Sequence, residues 1–238
     1  MSPGTGPDFS NSAYLFPHID KEGWKFGTLA LLVAVALAVV ACLPGFGALG
    51  WFVLPSFLLA YGVFLFFRDP ERYPPDGDGS AILSPADGRV CMVEECDFPD
   101  FFADGSKHWR VSVFMSVFNV HVNRMPTAGT VEKKDYIAAG RFFNASLDKA
   151  SKENERCNYM VKAENGQRYA VTQIAGLVAR RIVPRVSDGD RLEAAQRFGL
   201  IRFGSRLDVY LPFGVEPEVR VGQTMVAGET VIGHLSRG

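Results

Sequence analysis

The chain begins with two long apolar segments and continues with much shorter ones. Residues 27–43 contain no charged side chain, and neither do residues 48–67. Each segment approaches the roughly 20 residues that an α-helix needs to cross the hydrocarbon core of a bilayer. The pattern therefore predicts a transmembrane helical hairpin, a membrane anchor at 27–67, preceded by a polar segment at 1–26.

The positive charges around this anchor predict its orientation. Lys21 and Lys25 precede the apolar pair, Arg68 and Arg72 follow it, and the turn between the two segments has no cation. Lysine and arginine are enriched on the cytoplasmic flanks of membrane helices. Both ends are therefore expected in the cytoplasm, which places the rest of the chain on the cytoplasmic face of the cell (inner) membrane.

Two other interpretations of the apolar pair fit less well. A secretory signal peptide would need a small-residue cleavage site after the first segment, but a second apolar segment follows at once. A hairpin of helices buried inside a soluble core is the other alternative.

After the anchor, the apolar runs are short and are separated by Gly, Pro, Asp and Asn. Turn-forming residues at 68–80 predict a linker, and the polar stretch 144–158 predicts a loop. Runs rich in β-branched and aromatic residues predict strands at 90–93, 109–114, 129–132, 168–174 and 207–211. No long amphipathic helix pattern follows residue 70, so 81–238 is predicted as one mainly β domain.

Two glycine-punctuated segments, 84–90 and 219–233, suggest a more specific fold. They resemble the half-barrel hairpins of biotinyl and lipoyl carrier domains, so the β-rich domain is expected to be like a barrel-sandwich hybrid. A carrier needs a lysine displayed on a hairpin turn, and no lysine follows Lys162. Carrier chemistry is therefore not expected.

Net charge and cysteine spacing argue against two kinds of partner, nucleic acids and metal ions. A net charge of −1 over 238 residues gives no electrostatic reason to expect nucleic-acid binding. Zinc sites need closely spaced cysteines with histidines near them, a pattern that this chain lacks. We therefore predict no metal, and reduced thiols at the four cysteines, which are Cys42, Cys91, Cys96 and Cys157.

Polar residues interrupt the apolar runs of the β domain in three informative places. They are Ser-Pro-Ala-Asp-Gly at 84–88, Asn-Val-His-Val-Asn at 119–123 and Arg-Phe-Gly-Ser-Arg at 202–206. Serine, histidine and aspartate are the groups that activate a hydroxyl. If the Ser205 hydroxyl attacks the carbonyl of Gly204, the chain cleaves itself and Ser205 can become a carbonyl cofactor. Glycine suits this position because it admits a distorted backbone and a close approach.

Together with the anchor, these segments resemble phosphatidylserine decarboxylases, and more closely their compact bacterial and archaeal-type members. The matching segments appear in the family's order and run from Phe66 to the C-terminus. They are Phe-Phe-Arg-Asp-Pro-Glu-Arg at 66–72, residues 84–88, Phe-Asn-Val-His-Val-Asn-Arg-Met-Pro at 118–126 and Ile-Arg-Phe-Gly-Ser-Arg at 201–206.

The resemblance implies a proenzyme that cleaves itself between Gly204 and Ser205 into chains 1–204 and 205–238, which stay together. Ser205 becomes a pyruvoyl group, the covalent cofactor, which forms a Schiff base with the amine of phosphatidylserine in the membrane. Carbon dioxide then leaves, and hydrolysis releases phosphatidylethanolamine. The resemblance also allows a homodimer, which no pattern in the residues themselves indicates.

The resemblance implies roles for two further residues. His121 would handle protons, because an imidazole titrates near neutrality. Asp87 would orient His121 and stabilise its cation. Judged from spacing alone, a core histidine is the favoured interpretation of His121, and Asp87 could equally be a turn former with Gly88.

One departure from the family concerns the histidines. Longer members carry a second histidine at the place of Arg124, and arginine is a poor base. Arg124 and Asn123 are therefore expected to bind the substrate. Either His121 serves both self-cleavage and decarboxylation, or another group assists; His108 is a weaker candidate, expected at a strand edge.

Two other functions fit parts of the sequence. A non-enzymatic, membrane-tethered β-sandwich that binds a partner or a lipid would have no need for chain cleavage at Gly204–Ser205. A membrane-bound serine hydrolase would need a Gly-x-Ser-x-Gly nucleophile elbow, which the sequence lacks.

Overall fold

The structure is a computed structural model that describes residues 18–77, 79–98, 105–138, 154–176, 181–202 and 204–236. The chain divides into two compact units, Met1–Glu71 and Arg72–Gly238. The described part of the first unit is mainly helical, and that of the second is built from β-strands.

The first unit is a pair of apolar helices. Helix α1 (Lys21–Ala41) and helix α2 (Gly50–Phe66) are joined through a short 3-10 turn at Gly47–Leu49. Helix α1 begins earlier than the uncharged segment because Asp20 caps it, its carboxylate accepting a hydrogen bond from the Glu22 amide at 3.0 Å. Both helical segments have the length and composition of a membrane span.

Small residues bring the two helices together. A Cβ added at Gly27 would lie 2.4 Å from the ring of Phe64, so only glycine fits against that ring. At the open end of the hairpin, the Asp20 amide donates to the Phe67 carbonyl at 2.9 Å. The predicted hairpin of apolar helices is therefore present, and its two helices pack against each other.

The described part of the second unit is mainly β, and its strands form three sheets. The strands are β1 (Ala81–Leu83), β2 (Gly88–Asp97), β3 (Lys107–Met115), β4 (Val122–Arg124), β5 (Gly129–Ile137), β6 (Arg156–Ala163), β7 (Arg168–Ala175), β8 (Arg181–Pro184), β9 (Arg191–Leu192), β10 (Arg197–Arg202), β11 (Ser205–Tyr210), β12 (Thr224–Met225) and β13 (Val231–His234).

The largest sheet has eight strands in the order β12-β2-β3-β11-β7-β6-β5-β9, and its pairs are antiparallel. Strand β11 lies inside this sheet and pairs along its whole length with β3 and β7. Alternation along β11 sends Leu207 and Val209 into the main hydrophobic core, where they meet Val111 and Val113 of β3. The same alternation places Ser205 on the core side.

Two smaller sheets complete the unit. A three-stranded sheet has the order β4-β10-β8, and a two-stranded sheet pairs β1 with β13. The C-terminal segment returns to the beginning of the unit, because β12 pairs with β2 and β13 with β1. The two segments expected to form half-barrel hairpins are therefore neighbours. Their resemblance to carrier domains stays a prediction.

Strand assignments from the sequence need two corrections. The predicted loop at 144–158 is wrong at its end, because Arg156–Ala163 forms β6; residues 144–153 lie outside the described residues. The last predicted strand begins earlier than expected, at Ser205, because pairing with β3 continues to Met115. The polar side chains of Arg156 and Asn158 obscured the alternating pattern that would have predicted β6.

Candidate active site

The Gly204–Ser205 bond lies where the chain passes from one sheet to another. Strand β10 ends at Arg202 in the three-stranded sheet, and β11 begins at Ser205 in the eight-stranded sheet. Gly204 has φ +50°, a conformation that other residues adopt at a cost. Apart from its two chain neighbours, no atom of the described residues lies within 4 Å of the position that its Cβ would take. Backbone conformation, rather than crowding, is therefore the reason for glycine here.

Ser205 is fully buried and its hydroxyl has a weak partner. The Ser205 backbone lies between those of Met115 and Ala175. Its Oγ donates to the Met115 Sδ at 3.9 Å. A thioether is a weak acceptor, so the hydroxyl loses little when it turns toward another acceptor.

His121 stands immediately before β4 and its ring has a defined tautomer. Its Nδ1 lies 2.9 Å from the carbonyl oxygen of Asn119. Because a carbonyl only accepts, Nδ1 carries the proton in the neutral ring, and the lone pair is on the buried Nε2. An imidazole in this tautomer can accept a proton at Nε2.

The turn before His121 holds the Asn119 carbonyl in place. The Asn119 side-chain oxygen accepts from the Ser116 amide at 2.9 Å and from the Ser116 hydroxyl at 2.8 Å. The Asn119 amide donates back to the Ser116 carbonyl at 3.0 Å. Sequence reasoning placed Asn119 in a polar segment but did not assign it this positioning role.

Backbone pairing brings His121 to the strand that leads into the cleavage segment. The Ile201 amide donates to the His121 carbonyl at 3.3 Å, and Leu200 pairs with Val122. Ile201 is followed by Arg202, the last residue of β10 before Gly204. The histidine and the serine therefore belong to the same region of the second unit.

Asp87 has two strong partners that the sequence did not indicate. Its Oδ2 accepts from Arg72 Nη2 at 2.7 Å, and its Oδ1 accepts from the Ala227 amide at 2.8 Å. Both side chains of the ion pair are largely buried, with 13% and 14% exposure. These contacts connect the start of the unit to its C-terminal segment. The predicted role of Asp87 in orienting His121 stays a prediction.

The two residues expected to bind substrate are deeply buried. Arg124 is 4% exposed and its Nη1 donates to the Ala195 carbonyl at 3.0 Å. Ala195 has φ +59°, so the arginine supports a turn of unusual backbone conformation. Asn123 is fully buried and its oxygen accepts from Gln173 at 2.8 Å. Substrate binding by Arg124 and Asn123 stays a prediction.

His108 is not at a strand edge, contrary to expectation. It lies on β3, between β2 and β11, is 3% exposed and stacks on Phe98 with ring centroids 3.6 Å apart. Its Nδ1 is 3.0 Å from the Leu211 carbonyl. The polar neighbour Lys107 suggested an edge because it stands at the end of the strand, where a charge can reach water.

The other face of β11 carries buried charges. Arg206 Nε lies 2.8 Å from Asp208 Oδ1, and Arg206 Nη2 donates to Asp208 Oδ2 at 2.9 Å; both residues are fully buried. Arg110 of β3 approaches Asp208 to 4.0 Å and also pairs with Glu94. Residues next to Ser205 in the sequence are thus fixed by charge pairing on one face while Ser205 occupies the other.

The cysteines do not form a metal site in the described part of the chain, which holds no group of three or more His, Cys, Asp or Glu suited to a metal ion. Burial raises the pKa of Cys96 to about 11, although the nearby Arg110 opposes this shift. Burial also raises the pKa of Cys157 to about 11. Both thiols are therefore protonated and poorly nucleophilic near neutral pH.

Comparison with known proteins assigns the family. Residues 60–233 match the family model described as phosphatidylserine decarboxylase. A phosphatidylserine decarboxylase proenzyme of Zymomonas mobilis is 47% identical over 225 residues, covering 92% of this chain and 88% of the relative. One of Ruegeria pomeroyi is 51% identical over 215 residues, covering 90% of this chain and 94% of the relative. This chain belongs to the phosphatidylserine decarboxylase family.

Proposed function

We propose that this chain is a proenzyme that cleaves itself between Gly204 and Ser205 and then decarboxylates phosphatidylserine to phosphatidylethanolamine and carbon dioxide. The family supports the reaction, since the relatives are named phosphatidylserine decarboxylase proenzymes. The observation that carries the cleavage site is the Gly204–Ser205 bond at the passage between two sheets, with Gly204 at φ +50° and a weakly held Ser205 hydroxyl.

The cleavage chemistry follows from the two residues. The Ser205 Oγ loses its proton to a base and attacks the Gly204 carbonyl carbon, and the amide becomes an ester as the Ser205 nitrogen takes up a proton. Loss of the α-proton of Ser205 expels the Gly204 carboxylate and leaves dehydroalanine. Water then hydrolyses its imine tautomer and releases ammonia, so the new N-terminus of 205–238 is a pyruvoyl group.

His121 is the proposed proton-handling residue. Its Nε2 carries the lone pair in the neutral ring because the Asn119 carbonyl holds the proton at Nδ1. Asp87, ion-paired with Arg72, is proposed to orient His121 and to stabilise its cation. The two alternatives for proton transfer stay open. Either His121 acts in both self-cleavage and decarboxylation, or a second group assists it.

The two chains would remain together after cleavage. Strand β11 would become the N-terminal strand of 205–238 while pairing on both sides with β3 and β7 of 1–204. Strands β12 and β13 add pairs with β2 and β1. Main-chain hydrogen bonds and core packing of this extent explain how a short chain stays bound without a covalent link.

A pyruvoyl carbonyl at position 205 would supply an electrophile for the substrate amine. The imine formed would then take up the electron pair that is left behind when carbon dioxide departs. Met115 and Ala175 flank this position, and Asn123 donates to the Met115 sulfur. Arg124 and Asn123 are proposed to contact the head group. The two apolar helices would hold the protein on the cytoplasmic face of the inner membrane, where the lipid substrate lies.

Release of labelled carbon dioxide tests the reaction. The full chain in lipid vesicles containing carboxyl-labelled phosphatidylserine is expected to release the label, and Ser205→Ala is expected to release none. No release by the wild-type chain, with the lipid bound, would favour the alternative of a membrane-tethered β-sandwich that only binds lipid or a partner.

A further inference from the structure

A line of buried polar side chains leads from the middle of the large sheet to Ser205. The Tyr159 hydroxyl donates to Gln173 Oε1 at 2.8 Å, and Gln173 Nε2 donates to Asn123 Oδ1 at 2.8 Å. Asn123 Nδ2 then donates to Met115 Sδ at 3.6 Å, the sulfur that also accepts from Ser205. Tyr159 is 1% exposed, and Gln173 and Asn123 are fully buried.

The direction of these hydrogen bonds is fixed from the Met115 end. A thioether has no proton and only accepts, so Asn123 must turn its NH2 group toward the sulfur. Its oxygen then faces Gln173, which must donate through Nε2 and accept at Oε1 from Tyr159. Burial raises the pKa of Tyr159, so its hydroxyl keeps the proton that this arrangement requires.

The packing leaves space for the Gln173 side chain because residue 199 is a glycine. A Cβ at Gly199 of β10 would lie 3.0 Å from Gln173 Nε2 and 2.9 Å from the Val183 carbonyl. A larger residue at 199 would therefore displace the amide or the neighbouring strand. The side chain of Gln173 thus links the eight-stranded sheet to Asn123 of the three-stranded sheet.

A buried polar network destabilises the fold unless each polar group in it has a hydrogen-bond partner. Burying an amide without hydrogen-bond partners destabilises the fold, whereas an apolar side chain would fill the same space without that cost. Fully connected polar networks also fix one orientation of each side chain. The orientation of the Asn123 amide at the Met115 sulfur is the property that this network determines.

We infer that Gln173, held by Tyr159, is a positioning residue that keeps the N–H side of the Asn123 amide toward the Met115 sulfur, the same atom that accepts from the Ser205 hydroxyl. This inference rests on the proposed self-cleavage. An N–H donor fixed at the sulfur that Ser205 also contacts would be available to stabilise the negative charge that develops on oxygen when the hydroxyl attacks the Gly204 carbonyl. With the amide reversed, a carbonyl oxygen would face that charge and oppose it.

An isosteric substitution reverses the donor. In Gln173→Glu the ionised carboxylate cannot donate to Asn123, so the asparagine is expected to rotate and present its oxygen to the Ser205 side. We expect self-cleavage to slow by about 100-fold, the effect of losing one preorganised donor. Gln167→Glu is the matched control, because Gln167 is a half-buried amide in the turn before β7 whose oxygen accepts from Asn165.

The pH dependence separates positioning from a merely structural effect. A protonated carboxyl regains an O–H donor, so the Gln173→Glu protein is expected to recover cleavage as the pH falls, relative to wild type. Cleavage is followed as the appearance of chain 205–238 after cell-free synthesis of the full chain into lipid nanodiscs, and the melting temperature is measured in parallel.

Tyr159→Phe provides a second test that changes the fold less. It removes the donor to Gln173 and is expected to slow cleavage several-fold with little change in melting temperature. Should Gln173→Glu fail to fold, this variant decides. Wild-type cleavage rates in Tyr159→Phe and in a folded Gln173→Glu protein would overturn the inference, while failure of the wild-type chain to cleave would overturn the proposed function itself.

Discussion

Ser205 and Met115 face each other across neighbouring strands, and the serine hydroxyl donates to the methionine sulfur at 3.9 Å. The contact occupies the place in the core where alternation along β11 would otherwise put an aliphatic residue. A buried hydroxyl with so weak an acceptor is poorly compensated as a structural element. Its position agrees with the chemistry that we propose at the Gly204–Ser205 bond.

His121→Gln is expected to slow self-cleavage by about 100-fold or more, because the substituted amide cannot take up a proton as the Nε2 of imidazole does. The measurement is the fraction of chain cleaved with time after synthesis. His234→Gln is the control, since His234 is exposed and pairs with Glu218. Equal rates for wild type and His121→Gln would remove His121 from the cleavage step.

Gly204→Ala is expected to slow self-cleavage about tenfold. The φ of +50° costs a residue with a Cβ about 1–2 kcal/mol, which lowers the population of the conformation in which the bond is held. Gly214→Ala is a matched control, because Gly214 also has positive φ, +77°, and open space around it. Equal slowing by both substitutions would show a general loss of stability rather than an effect on the bond.

Asp208→Asn is expected to lower the free energy of unfolding by about 3 kcal/mol, because it leaves the buried Arg206 guanidinium without its carboxylate. Denaturant unfolding of the detergent-solubilised Ser205→Ala protein measures this effect without interference from cleavage. Glu132→Gln is the control, since its partner Arg168 is exposed and such pairs contribute little. A similar loss of unfolding free energy in both variants would show that the buried Asp208–Arg206 pair contributes no more than an exposed ion pair.

Cys157 is expected to resist alkylation at pH 8 and to react faster as the pH rises toward 11. Burial raises its pKa from 9.0 to about 11, so the thiolate fraction at pH 8 falls about 100-fold. The raised pKa also means that protonated Cys157 stabilises the fold below pH 9, a contribution lost as the pH rises through 11. Iodoacetamide labelling of folded and urea-unfolded protein measures this difference; equal labelling rates at pH 8 would contradict it.

The sequence predicted what regular patterns encode. Uncharged apolar runs identified the two helices, and alternation identified β3 and β11. The position of Ser205 on the core side follows from the same alternation. The start of α1 was missed because a cap at Asp20, not hydrophobicity, determines it.

Partners distant in sequence could not be predicted. The Ala227 amide reaches Asp87 because the C-terminal segment folds back to the start of the unit, and no local pattern in the sequence indicates that contact. Gln173 stands in a strand where a lone polar residue is typical of a solvent-facing position. Its burial depends on Gly199 in another sheet, which leaves the space that the amide occupies.

The measurement that tests self-cleavage most directly is denaturing intact-mass spectrometry of the purified full chain. We expect two species that divide at Gly204/Ser205, with the 205–238 species about 17 Da lighter than a peptide beginning with serine, because a pyruvoyl group replaces the serine amine. Ser205→Ala should give one uncut species. A wild-type chain that remains uncut in detergent and in lipid would contradict the proposed cleavage and, with it, the covalent cofactor.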